Sequence, residues 1–153
     1  MKKIKYIILI LFVFILVGCK KNTITIDEFI DVAKFNGYIV ENDKSGYETY
    51  DYIKDIYYAV NRLNAYYVQL IELDSDENAK KFFLTNVDDI REDITTEDYL
   101  KSKSLSNYEL FHAENEDAYY LIIRNKNFII YVVAPINYIN EIEEFLDELS
   151  LEY

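Results

Sequence analysis

The chain has 153 residues and a formal net charge of −12, and its single cysteine is accompanied by 16 tyrosines and no tryptophan. A surface this acidic repels nucleic acid and anionic lipid headgroups, which excludes a nucleic-acid partner and attachment through a basic patch. One cysteine excludes an intramolecular disulfide, so we expect the domain to be stable through packing alone. Hydrophobic residues make up 51% of the chain, enough to build a core and to argue against disorder.

The first 19 residues are arranged like an export signal. Lysines at positions 2, 3 and 5 precede an apolar run from Ile7 to Val17, and the small residue Gly18 stands directly before Cys19. This order of basic, apolar and small residues is typical of a secretory signal peptide. The apolar run is too short for a membrane-spanning helix, which needs about 20 residues.

The tetrapeptide Leu16-Val17-Gly18-Cys19 resembles the lipobox of bacterial lipoproteins. The resemblance implies a diacylglycerol thioether on the Cys19 sulfur and signal cleavage between Gly18 and Cys19. It also implies a protein anchored by lipid to the extracytoplasmic face of the cell membrane. The rest of the chain resembles the small lipoproteins of low-GC Gram-positive bacteria. The alternative is an ordinary signal peptide or short anchor with an incidental cysteine.

We therefore divide the chain into a signal peptide at residues 1–18, a lipidated cysteine with a short tether at 19–24, and a single globular domain at 25–153. Cleavage removes three lysines and no acids, which leaves 13 basic residues against 28 acidic ones and a formal charge of −15. Two acyl chains on one cysteine are enough for stable membrane anchoring, whereas one chain is not.

Caps and periodicity predict the first half of the domain. A helix begins at Thr25, whose hydroxyl forms a capping box with Glu28, and it ends at Gly37 as a C′ glycine. Runs rich in Tyr, Val and Ile, separated by turn residues, then predict strands. These predicted strands cover residues 38–41, 53–62 and 66–73.

The second half repeats this order. Residues 74–77 cap a second helix, on which the period places Phe82 and Phe83 toward the sheet. Residues 91–106 lack a pattern and are predicted to be a loop. The resulting fold class is α+β, with a mainly antiparallel sheet of about six strands and amphipathic helices on one face. The remaining predicted elements are strands at 108–113, 118–124 and 127–134 and a helix at 137–149.

Catalytic and metal-binding motifs are weak. His112 is the only histidine, and no Gly-x-Ser-x-Gly segment presents a serine nucleophile to it. One histidine and a lipidated cysteine leave only carboxylates as metal ligands, a set that does not favour zinc. We therefore predict no catalytic residue, no metal site and no cofactor. Adjacent acids such as Asp88 and Asp89 keep a carboxylate-dependent hydrolase acting on cell-envelope material as the alternative.

The tyrosines indicate a binding surface. They occur in adjacent pairs on predicted strands, and neighbouring strand residues face opposite sides of a sheet. Each pair then places one ring on the side that the helices leave open, which suits a basic protein or a cell-wall glycan. The alternative is a compositional bias with half-buried rings. The predicted function is a membrane-anchored, non-catalytic binding or interaction module, with its possible surface at Tyr57, Tyr58, Tyr66 and Tyr67.

Overall fold

A computed structural model describes residues 23–94 and 99–151. Within these residues, three helices accompany a single sheet of seven strands. The helices are α1 (Ile26–Phe35), α2 (Asp76–Asp93) and α3 (Ile139–Glu148), the last preceded by a 3₁₀ turn (Ile136–Tyr138). The strands are β1 (Ile39–Asn42), β2 (Ile53–Val60), β3 (Tyr67–Leu73), β4 (Tyr99–Leu105), β5 (Tyr108–Glu114), β6 (Ala118–Asn125) and β7 (Phe128–Pro135).

Every strand pair in the sheet is antiparallel, and the spatial order is β1-β2-β3-β7-β6-β5-β4. The α+β class is confirmed, but the prediction of a loop over residues 91–106 is wrong for residues 91–93 and 99–105. In this stretch α2 continues to Asp93, and β4 adds a seventh strand. Because β4 is an edge strand whose residues from Leu100 to Leu105 are all exposed, it lacks the alternation of apolar and polar residues that marks a strand in sequence.

The helices cover both faces of the sheet, so the prediction that they share one face is wrong. Alternate residues of a central strand point to opposite faces, and in β3 both sets are apolar. Val68 and Leu70 belong to the core under α1 and α3, whereas Ile71 and Leu73 belong to the core under α2. We call these sides the two-helix face and the one-helix face.

The predicted hydroxyl cap at Thr25 and the predicted C′ glycine at Gly37 both form at the ends of α1. The Thr25 hydroxyl accepts a hydrogen bond from the Glu28 amide at 3.3 Å. Ile24, which precedes the cap, and Phe29, in the first turn of the helix, are buried together in the core of the two-helix face. Gly37 follows the helix with φ of 77°, a left-handed conformation in which glycine is unstrained. Local sequence therefore sets both ends of α1.

The α2 helix begins after Ser75, whose hydroxyl accepts a hydrogen bond from the Asn78 amide at 3.2 Å. The expectation that Phe82 and Phe83 both face the sheet is wrong for one of them. Successive helical residues point about 100° apart, and only Phe83 enters the core fully, while Phe82 is half-buried at its edge. The other buried residues of α2 are Ala79, Val87 and Ile90.

Gly18 and Cys19 lie outside the described residues, so the lipid anchor and the cleavage site stay predictions. In the part of the chain that the structure describes, no helix is both long and apolar enough to cross a membrane.

Candidate functional site

The four tyrosines predicted as a binding surface divide between the two faces of the sheet. Tyr58 and Tyr67 lie on the one-helix face, where their rings make an edge contact with centroids 5.4 Å apart. Tyr57 packs on the two-helix face, and its hydroxyl donates to Asp55 at 3.0 Å. Tyr66 is buried in the same core as Tyr57. Tyr58 and Tyr67 therefore share one face of the sheet, and Tyr57 and Tyr66 share the other.

Tyr66 is a core residue with a buried polar partner. Its hydroxyl and that of Tyr38 are 2.5 Å apart, and its ring packs against Tyr138 with centroids 5.1 Å apart. Burial raises the pKa of Tyr38 to about 12 and that of Tyr66 still further, so both phenols stay protonated. A hydrogen bond between two neutral hydroxyls in a packed core stabilises the fold and offers nothing to a ligand.

A groove lies on the one-helix face, between the β1–β2 loop and α2. Its volume is about 330 Å³, at the lower end of the range for small-ligand pockets. The loop contributes Tyr47, Tyr50 and Tyr52, whose centroids are separated by 6.1 Å from the first ring to the second and 5.7 Å from the second to the third. We call this feature the tyrosine groove.

Local hydrogen bonds order the loop that carries these rings. Both carboxylate oxygens of Asp43 accept from Ser45, one from its amide and one from its hydroxyl, each at 2.8 Å. These bonds also hold the pKa of Asp43 below its usual range. Gly46 adopts φ of 89°, and its amide donates to the Glu48 carboxylate at 2.8 Å. Hydrogen bonds within the loop therefore fix the turn that precedes its tyrosines.

The opposite wall of the groove comes from the polar side of α2. The Asn86 amide group donates to the Phe82 carbonyl oxygen at 2.8 Å, and the Asn78 amide group donates to Asp74 at 2.8 Å. Each bond uses a donor of the side chain and orients its carbonyl oxygen as an acceptor. The α2 residues that line the groove are Asn78, Lys81, Phe82, Thr85, Asn86 and Asp89.

Aromatic surface continues from the groove across the sheet. The pKa of Tyr58 is raised, first by burial and then by the neighbouring phenols of Tyr47 and Tyr67. Beyond Tyr58, the side chains of Tyr67 and Val133 are 44% and 40% exposed. α2 packs mainly on β3, β6 and β7 and leaves this corner of the sheet uncovered. We call the series Tyr52, Tyr50, Tyr47, Tyr58 and Tyr67 the tyrosine row.

The buried ion pair between Glu109 and Arg124 has a structural role. Glu109 and Arg124 lie on adjacent strands with carboxylate and guanidinium atoms 2.6 Å apart, and both side chains are almost fully buried. The same guanidinium donates to the backbone oxygens of Ser106 at 3.1 Å and Lys126 at 3.3 Å. Arg124 thereby connects the β4–β5 and β6–β7 turns at one end of the sheet. Its charge is neutralised by Glu109 and is buried away from any ligand.

A second cavity, of about 250 Å³, lies at the end of α1. The Arg62 Nε atom in its wall donates to the Gly37 carbonyl oxygen at 2.9 Å, which satisfies an acceptor just beyond the helix C-terminus. Phe35 and Leu63 at the rim are 83% and 76% exposed. Arg62 has a structural role as a helix cap, so this cavity is a weaker candidate than the tyrosine groove.

His112 is buried beside Tyr119, with ring centroids 4.9 Å apart, and its Nε2 atom is 3.7 Å from the Glu114 carboxylate. Burial lowers the pKa of His112. The residues that the structure describes include no cluster of His, Cys, Asp or Glu that could hold a metal ion.

Comparison with protein-family models, curated proteins and solved structures found no significant match. Function must therefore be argued from the site itself. The tyrosine pairs predicted as a binding surface do not line the groove, because they belong to predicted strands and the groove tyrosines belong to a loop. Its signal in the sequence is the close spacing of Tyr47, Tyr50 and Tyr52 after a turn.

Proposed function

We propose that this protein is a membrane-anchored, extracytoplasmic lipoprotein that acts as a non-catalytic binding module, with the tyrosine groove as its ligand site. The observation that carries the proposal is the exposure of Tyr50, which is 44% exposed and contacts two other groove rings, Tyr47 in a tilted and Tyr52 in an edge arrangement. Tyrosine combines a large apolar area with a polar end, which is why exposed tyrosine clusters are typical of recognition surfaces.

The predicted anchor fits a domain that works close to the membrane. Thr25, which caps α1, follows Cys19 by six residues. A fully extended chain of that length spans about 20 Å. A diacylglycerol on Cys19 would therefore keep the folded domain near the membrane surface.

The groove gives the hydrolase alternative no support. A glycosidase needs two carboxylates about 5 to 9 Å apart across one bond of its substrate. Among the residues that the structure describes, Asp89 is the only carboxylate that lines the groove. Elsewhere, the described carboxylates with shifted pKa values, Asp43, Asp74 and Glu77, are all shifted downward, whereas a general acid needs a raised pKa.

Fatty-acid labelling tests the anchor. Cells that express the full chain are grown with a fatty-acid probe, and wild type is compared with Cys19→Ser. We expect label on the wild-type protein only, since both proposed acyl chains depend on the Cys19 sulfur. Equal labelling of the two proteins would contradict the lipoprotein assignment.

Retention on isolated cell envelopes tests the binding site. The full chain, extracted in detergent with a C-terminal tag, is mixed with envelopes and compared with Tyr50→Ala. Tyr57→Ala is the matched control, since it removes a half-buried tyrosine from the opposite face. We expect retention to fall for Tyr50→Ala alone, with circular dichroism showing both variants folded. Unchanged retention of folded Tyr50→Ala would remove the groove from the proposal.

A further inference from the structure

We propose that the ligand of the tyrosine groove is a neutral glycan chain, an inference that rests on the proposed function. A pyranose ring has a face of C–H bonds and a rim of hydroxyl groups. An aromatic surface on one side and hydrogen-bonding groups on the other match these two parts of the ligand. The loop tyrosines and the polar side of α2 supply these two surfaces in one groove.

The charge of the groove argues against a basic protein. The chain as a whole has a formal net charge of −12. The groove lining has one positive side chain, Lys81, and one negative side chain, Asp89. Lys81 also pairs with Glu77 at 2.8 Å along the outside of the helix. Because opposite charges balance in the lining, a cationic ligand gains no more from this groove than from the acidic surface around it.

The hydrogen-bonding wall suits hydroxyl groups. Asn78 and Asn86 each use their amide group within the protein, so their carbonyl oxygens remain oriented as acceptors for ligand hydroxyls. Thr85 lies between them on the same side of α2 and is exposed. Its hydroxyl both donates and accepts, as does each sugar hydroxyl. The wall therefore matches the chemistry of a polyhydroxylated ligand.

The tyrosine row indicates a chain rather than a single sugar. Ring contacts join Tyr52, Tyr50 and Tyr47 in the groove, and a separate ring contact joins Tyr58 and Tyr67 on the same face outside it. Within each contacting pair the centroids are between 5.4 and 6.1 Å apart. A ligand that follows the row contacts more aromatic area as it lengthens, so affinity should rise with the number of linked sugars.

Calorimetry with neutral oligosaccharides tests the inference on the full chain in detergent. The probes are short and long oligomers of N-acetylglucosamine and of glucose, with polylysine as the cationic arm. We expect at least one neutral series to bind, the longer oligomer more tightly, with little change on adding salt, because no charge is neutralised. Polylysine that competes for the groove, or binding that salt abolishes, would overturn the glycan assignment in favour of a basic partner.

Substitutions in the groove test whether the oligosaccharide binds there. Tyr50→Ala should weaken oligosaccharide binding about tenfold, a typical loss for a contact residue at the centre of a site. Thr85→Val, an exposed change of similar shape, tests the polar wall without removing a ring, and Tyr57→Ala is again the control. Equal losses in Tyr57→Ala and Tyr50→Ala would overturn the inference. If no neutral series binds but envelope retention still depends on Tyr50, the glycan is wrong and the binding function stands.

Discussion

The two faces of the sheet use the same residue types for different purposes. On the two-helix face, α1 and α3 close over the strands, and tyrosines such as Tyr38 and Tyr66 satisfy each other's hydroxyls in the core. On the one-helix face, a single helix leaves part of the sheet uncovered, and Tyr50 and Tyr67 are each 44% exposed. The comparison shows that helix coverage, rather than tyrosine content, separates a buried core from an exposed surface.

The largest expected difference between the faces is in core packing. Phe145 on α3 is 1% exposed and packs against Phe29 and Tyr38 with ring centroids 5.7 and 5.1 Å apart. Phe145→Ala should lower the free energy of unfolding by about 3 to 5 kcal/mol. Phe82→Ala, at the half-buried edge of the groove, should cost about 1 to 2 kcal/mol because less area is lost. Urea unfolding measures both, and a larger cost at Phe82 would contradict this ranking.

Alanine substitutions at two glycines should have a smaller effect on stability than loss of Phe145. Gly37 and Gly46 have φ of 77° and 89°, so alanine at either position incurs left-handed strain of about 1 to 2 kcal/mol. At Gly37, a Cβ atom would also lie 2.3 Å from the Arg62 guanidinium, whereas at Gly46 it meets nothing within 4 Å. Gly37→Ala should therefore cost more than Gly46→Ala in chemical denaturation.

The Arg62→Ala background is the control for this difference. Without the guanidinium, the two glycine substitutions should have similar costs, since only the backbone strain remains. If Gly37→Ala stays costlier in that background, the close approach of Arg62 does not explain the difference between the sites.

The smallest expected effect is a pH dependence from His112 on the two-helix face. Burial lowers the pKa of His112 from 6.5, and Lys101 adds to this while Glu114 opposes it. Just below pH 6.5, His112 is therefore protonated in the unfolded chain but stays neutral in the folded protein. Stability contributed by neutral His112 is complete above pH 6.5 and is lost as the pH falls below that value.

Thermal unfolding between about pH 8 and pH 5 measures this effect. Wild type should lose stability toward the acid end, and His112→Gln should show a flatter profile. The lowered pKa values of Asp43 and Glu77 act only in a more acidic range, below their ordinary values of 3.8 and 4.5. An unchanged profile in His112→Gln would mean that another group titrates here.

Much of the fold follows from local sequence signals. The caps at Thr25 and Ser75 and the end of α1 at Gly37 were predictable, since each depends on residues a few positions apart. β4 was not predictable, because its hydrogen bonds to β5 hold an exposed edge strand without apolar alternation. Only part of the candidate site could be predicted. The tyrosine content is evident in the sequence, but the burial of each ring depends on which helix or loop covers it.

The sequence by itself determined the charge, the lipobox resemblance and the positions of most helices and strands, because these depend on composition or on short-range spacing. The tertiary structure alone decided that α2 covers the face opposite α1 and α3. Central strands such as β3 are apolar on both sides, so their pattern does not say which helix packs on which side. The same packing decided that Tyr66 is core and that Tyr67, the next residue, belongs to an open surface.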